Sequence, residues 1–106
     1  MRKYLIEVSY TADGAKGLLK DGGTKRRQVA EQALASAGAK MEAFYFAFGD
    51  TGAYVIVDAP DHATVSAASL AINASGAVRL KTIVLVTPEE IDQAVKKGVT
   101  YRAPGA

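Results

Sequence analysis

The sequence predicts an α+β domain built around one four-stranded sheet, and two observations carry that expectation. The hydrophobic period switches repeatedly between two, as in a strand, and about 3.6, as in a helix. Turn and cap residues fall at each switch: DGG at 21–23, Gly38, GDTG at 49–52, Pro60-Asp61, Gly76 and TPEE at 87–90. A chain of 106 residues, 49% apolar and 23% charged, allows a single domain over residues 1–106 with one hydrophobic core.

From Lys3 to Tyr10, Tyr4, Ile6, Val8 and Tyr10 alternate with Leu5, Glu7 and Ser9, which predicts the first strand. Thr11 is a candidate cap for a short helix over Ala12 to Lys20, weakened by Gly14 and Gly17. A longer helix is expected from Thr24 as N-cap, with Val29, Ala30, Ala33, Leu34 and Ala37 as its apolar stripe and Gly38 as its stop. The second strand runs from Lys40 to Phe48, with Phe44, Phe46 and Phe48 on one face and Met41, Ala43, Tyr45 and Ala47 on the other. GDTG makes a hairpin into the third strand, Ala53 to Ala59. Asp61 caps an Ala- and Ser-rich helix that ends at Gly76, and Val78 to Val86 alternates as the fourth strand. In TPEE, Thr87 is an N-cap, Pro88 the first helical residue and Glu90 the closing member of a capping box, so a last helix covers Glu89 to Lys97. The remaining VTYRAPGA has no periodicity.

The order is β-α-β-β-α-β with an extra C-terminal helix, the split βαβ arrangement of a ferredoxin-like sandwich. Helices would then cover one face of the sheet. A one-sided sheet in water should alternate cleanly, yet several strands carry large apolar residues on both parities, among them Leu5, Met41, Tyr45, Ile83 and Leu85. A patch of that size exceeds what monomers expose. The expectation is a homo-oligomer through the open sheet face, an α/β barrel shared between two subunits or a larger ring.

Composition excludes several chemistries. Cysteine is absent, which removes disulfides, thiolate nucleophiles and thiolate metal sites. One histidine excludes a multi-His metal site within a chain, and no metal or cofactor is implied. A haem is disfavoured because His62 sits near a helix start. The net charge of +2 is too small to point to nucleic acid. The N-terminal basic residues precede an apolar run broken by Glu7, without a signal-peptide h-region, and no stretch approaches the roughly 20 apolar residues of a membrane span. A soluble, cytoplasmic protein is expected.

Lys25, Arg26 and Arg27 stand at a helix N-terminus, the positive end of the dipole, where each cation costs about 0.3–1 kcal/mol if uncompensated. They are either a solvated start paired with Asp21 or Glu31, or part of an anion site; GGTKRR lacks the spacing of a P-loop. A second cluster is expected from strand neighbours, Glu7 on the first strand facing Arg79 and Lys81 on the fourth. It is either a structural ion-pair network or the wall of a small polar pocket for an acidic ligand.

The blocks MRKYLIEVSYTADGAKGLLKDGGTKRR, KMEAFYFAFGD, YVIVDAPD, SLAINASGAVRLKT and PEEIDQA…YRAPGA resemble the GYD domain family, small bacterial proteins of largely unassigned function. The resemblance spans nearly the whole chain. It implies a ferredoxin-like fold of the dimeric α/β-barrel type and no particular catalytic residues. The Gly-Tyr-Asp positions that name the family fall at the corner between the second and third strands, where this chain keeps Gly49 but has Thr51 and Gly52.

Three functions stay open. The first is a small-molecule binding or sensing domain for an anionic metabolite, using Glu7, Arg79, Lys81, Lys25, Arg26, Arg27 and Tyr45. The second is a cofactor-free enzyme of the dimeric-barrel kind, an isomerase or monooxygenase, with Glu7 or His62 as base and Tyr45 or Tyr54 as donor. The third is a structural assembly protein without a ligand.

Overall fold

A computed structural model describes residues 1–106. The elements are β1 (Arg2–Tyr10), α1 (Ala12–Asp21), α2 (Gly23–Ala37), β2 (Lys40–Phe46), β3 (Ala53–Ala59), α3 (His62–Ala74), β4 (Val78–Leu85) and α4 (Pro88–Val95). The four strands form one antiparallel sheet in the order β2-β3-β1-β4. This α+β arrangement is compatible with a ferredoxin-like sandwich.

Parity on the central strand sorts the molecule into two sides. Tyr4, Ile6 and Val8 of β1, every odd residue of β3 from Ala53 to Ala59, and Val78 of β4 are buried beneath Leu34 of α2 and Val65 and Ala68 of α3. Fully burying one such aliphatic side chain contributes about 1.5–3 kcal/mol. The opposite parity faces away from the helices, so the helical layer covers a single face as the pattern predicts.

Most boundaries agree with the sequence, and the differences have local causes. α2 begins at Gly23 rather than after a Thr24 cap, because Gly22, at φ 81°, breaks the chain between α1 and α2 and itself stands at the N-cap without a side-chain hydrogen bond. β2 stops at Phe46, leaving Phe48 in the turn and fully exposed. A bulge between Met41 and Ala43 shifts the register of β2. Met41 therefore lies opposite Val57 and packs on the core instead of joining the open face. Tyr45 stays on the open face, opposite Tyr54.

The capping box of α4 forms in full: Glu90 N–H donates to Thr87 Oγ1 at 3.1 Å and Thr87 N–H to Glu90 Oε1 at 3.0 Å. No residue of α4 is buried. The helix and tail extend from the sheet, and the radius of gyration is 17.0 Å, against about 13 Å for a compact chain of this length.

Gly14, which weakens α1 as a helix, is required by close approach. A Cβ at this position would meet the Ala77 carbonyl oxygen at 1.8 Å. Helix propensity alone makes Gly14→Ala stabilising by about 1 kcal/mol, whereas overpacking costs about 1–3 kcal/mol. The clash is against backbone, so Gly14→Ala is expected to destabilise. Urea denaturation reads the sign directly, and a raised midpoint would show that α1 shifts freely over Ala77.

Candidate functional site

The sequence-predicted residues separate onto the two sides of the sheet. Lys25, Arg26 and Arg27 lie with the helices, whereas Glu7, Arg79, Lys81 and Tyr45 lie on the open face. The two sets do not form one site.

On the helix side the three cations of α2 have three different fates. Lys25 Nζ is 3.8 Å from Asp21 Oδ1, an exposed pair four residues apart. Arg27 is exposed at the rim of a shallow groove beside Phe44 and Phe46. Arg26 is half-buried and turns toward the sheet, where it lines a cavity of about 90 Å³ between α2 and the strands. Apart from Arg26 the walls are hydrophobic: Ile6, Val8 and Tyr10 of β1, Val29, Ala33 and Leu34 of α2, and further residues of β2, β3, α3 and β4. Arg26 falls there because it extends the apolar stripe of Ala30, Ala33 and Ala37 back by one turn. That signal was present in the helical spacing.

Tyr10 is the cavity residue that sequence reasoning missed as a functional group. Burial pushes its phenol up from the ordinary value of 10.0, and the neighbouring Arg26 guanidinium, by charge and by hydrogen bonding, opposes the shift. The pair offers a cation and a phenol at the edge of an otherwise apolar space. A guanidinium in such a place has the geometry to pair with a carboxylate in bidentate fashion, and the apolar walls suit a short hydrocarbon part.

The open face is organised in rows that cross the sheet. Tyr45, Tyr54, Glu7 and Lys81 stand opposite one another on β2, β3, β1 and β4, and Ala43, Ile56, Leu5 and Ile83 form the adjacent apolar row. Glu7 Oε2 is 3.9 Å from Lys81 Nζ, with Glu7 23% and Lys81 76% exposed. Arg79 pairs with Ser9, one step along the face, and makes no ion pair with Glu7. The expected triad is thus a single exposed ion pair with a diagonal neighbour, worth about 0–1 kcal/mol within one chain. At the other end of the face, Lys3 Nζ lies 2.7 Å from Asp58 Oδ1 and 3.1 Å from Glu42 Oε2. The hydrogen bonds to Asp58, then to Glu42, raise the Lys3 ammonium above its ordinary value.

His62 caps a different groove, between α3 and β4. Its Nδ1 is 2.6 Å from the hydroxyl of Tyr4, a side chain only 1% exposed. The bond couples the Tyr4 hydroxyl to the imidazole, and the His62 tautomer decides which of the two donates. Ser66, Ser69, Asn73 and Thr82 line the rest of the groove. Glu7 and His62, the two candidate bases, lie on opposite sides of the sheet. Nowhere do three His, Cys, Asp or Glu side chains converge as a metal site would require, and no helix is long and apolar enough to cross a membrane.

The Tyr10 shift has a consequence for pH. Its folded phenol holds the proton more tightly than the unfolded one, so the associated stability is complete below about pH 10, the ordinary phenol value, and is lost as pH rises through the raised value. Arg26→Met removes the opposing cation and is expected to raise the Tyr10 phenol further. Absorbance titration of tyrosinate, with Tyr10→Phe to identify the signal, checks the direction. A lower midpoint in Arg26→Met would mean that the guanidinium does not face the phenol.

A search of curated proteins finds no match. A scan of protein families matches residues 4–95 to the GYD domain. That match covers most of the 106 residues, and it falls on the strands and helices from Tyr4 to the end of α4; the chain belongs to the GYD domain family.

Proposed function

We propose that this chain is a binding domain for a small anionic metabolite, a short-chain carboxylate, taken up between α2 and the sheet. The observation that carries the reading is the placement of Arg26, the single charged residue lining an apolar cavity, beside Tyr10. A cavity of about 90 Å³ is smaller than the roughly 150 Å³ space that takes benzene. The apolar part of the ligand is accordingly a few carbons. Lys25 and Arg27, the exposed sequence neighbours of Arg26 on α2, do not line the cavity and add only positive charge nearby.

The same domain acts, in this reading, as a homo-oligomer through the open sheet face. The apolar row of Ile56, Leu5 and Ile83 supplies the area, and the row of Tyr45, Tyr54, Glu7 and Lys81 becomes an enclosed polar layer when two faces meet. Enclosure strengthens the Glu7–Lys81 pair and demands that each partner stay hydrogen-bonded. An enzyme of the dimeric-barrel kind has less support, since His62 is remote from Glu7 and Tyr54.

Both halves can be tested separately. Short carboxylates such as butyrate should raise the melting temperature above a chloride control at equal ionic strength, by about 2.7 kcal/mol of stabilisation at 100 times Kd. Arg26→Met should abolish this excess, and Lys25→Ala should leave most of it. Equal stabilisation of the Arg26→Met variant would refute the site. For the open face, Leu5→Asp places a charge in the centre of the apolar row and should reduce the particle mass in light scattering. An unchanged mass, or a native chain that is monomeric at micromolar concentration, would remove the face-to-face contact.

A further inference from the structure

One strand edge of the molecule is open along half its length. The sheet has two edges, and that of β2 is interrupted by the bulge at Glu42, a device that discourages pairing. On β4 the first half of the outer edge is closed within the chain, where the Leu80 N–H donates to Asn73 Oδ1 at 2.9 Å. Backbone groups of successive residues point to alternate sides of a strand. Since Leu80 points outward, Thr82 and Val84 point outward too, while Lys81, Ile83 and Leu85 face β1. Val86, the residue directly after β4, has the same parity. No other element of the chain pairs with this edge. Its sequence, TIVLV over 82–86, is apolar and mostly β-branched, with no charge, bulge or proline to protect it.

We propose that this edge pairs with the same edge of a second copy, antiparallel about a twofold axis at Val84, joining two sheets into one of eight strands. That register sets Val84 opposite Val84 of the second copy and Thr82 opposite its Val86, so every free outward residue finds a partner. The ladder then ends for a chemical reason. The next pair would join Leu80, whose N–H is already taken by Asn73, to Pro88, which has no N–H. An axis at Ile83 would instead set Val86 against Leu80 and waste one free residue on each copy. On the open face the same axis places Ile83 beside Leu85 of the second copy.

The axis also accounts for α4. Eight residues are too few for a stable isolated helix in water, yet α4 has a complete capping box and leaves Ile91 and Val95, one turn apart, 50% and 78% exposed. Beyond Val86, each copy runs past Leu80 of the other toward α3, whose Leu70 is 71% exposed. Cover for the stripe is available there.

This inference stands apart from the carboxylate site and from contact through the open face. It is tested by amide hydrogen exchange on the native full-length protein. The Val84 and Thr82 amides are expected to be protected as the Ile83 amide is, and to lose that protection on dilution while Ile83 keeps it. Exchange of Val84 at the rate of an open amide at high concentration would overturn the proposal. In a mixed sample of isotope-labelled and unlabelled chains, an interchain contact between Ile83 and Leu85 Hα atoms supports the register, and contacts from Val84 to β2 of another copy refute it. Val84→Pro removes only an outward N–H, which an edge strand tolerates. It should halve the particle mass with the Ile83 amide still protected, whereas Leu5→Asp leaves Val84 protection in place. A Val84→Pro protein of unchanged mass would sink the idea, and if that variant does not fold, the exchange result on the native chain decides alone.

Discussion

The arrangement depends on the strict alternation of β1, one of the two inner strands hydrogen-bonded on both sides. With Tyr4, Ile6 and Val8 under the helices, Lys3, Leu5, Glu7 and Ser9 must face the other way. A slip of one residue would exchange the two sets and place Glu7 in the core. The registers of β3 and β4 follow from β1, and β2 follows β3 with one bulge to seat Met41 inward. Close approach completes this packing: Gly14 lets α1 lie against Ala77 at the start of β4, and Gly38, at φ 94°, ends α2 over the core.

The same parity rule distributes the charges. Arg26 reaches the sheet from the helix side, while Glu7 and Lys81 are held on the far face, separated from it by a layer of buried side chains. A low-dielectric layer does not let these groups share solvent or one small ligand. Their surroundings differ accordingly. Arg26 stands where water is partly excluded, beside a phenol whose proton is held more tightly for that reason. Glu7 and Lys81 stay in water within one chain, where their attraction is screened. The first environment suits recognition of a ligand; the second becomes consequential only when the face is covered.

Coverage is uneven from one end of the sheet to the other. α2 and α3 pack over β2, β3 and β4, but the second half of β4, paired with β1 on its inner side, has no strand on its outer side and meets α3 only across an open groove. α4, which continues directly from that strand, packs on nothing substantial in its own chain. The most apolar unprotected edge and the least covered helix are thus consecutive in sequence.

Local rules determined much of this protein from the sequence by itself. The caps at Thr11, Asp61 and Thr87, the ends of β3, the capping box of α4 and the one-sided helical layer all rest on interactions within a few residues or on a period that the chain states openly. The inward turn of Arg26 was also legible, since it continues the stripe of α2. What tertiary structure decided were the relations that no single segment contains. The bulge at Glu42 depends on how β2 meets β3, and it moved Met41 to the core. The Tyr4–His62 bond joins residues 58 positions apart, and the neighbour of Tyr10 at the cavity mouth is set by the angle of α2 over the sheet. Arg79 missed Glu7 by one step because cross-strand register is fixed by pairing over the whole ladder, whereas sequence pattern supplies only its parity.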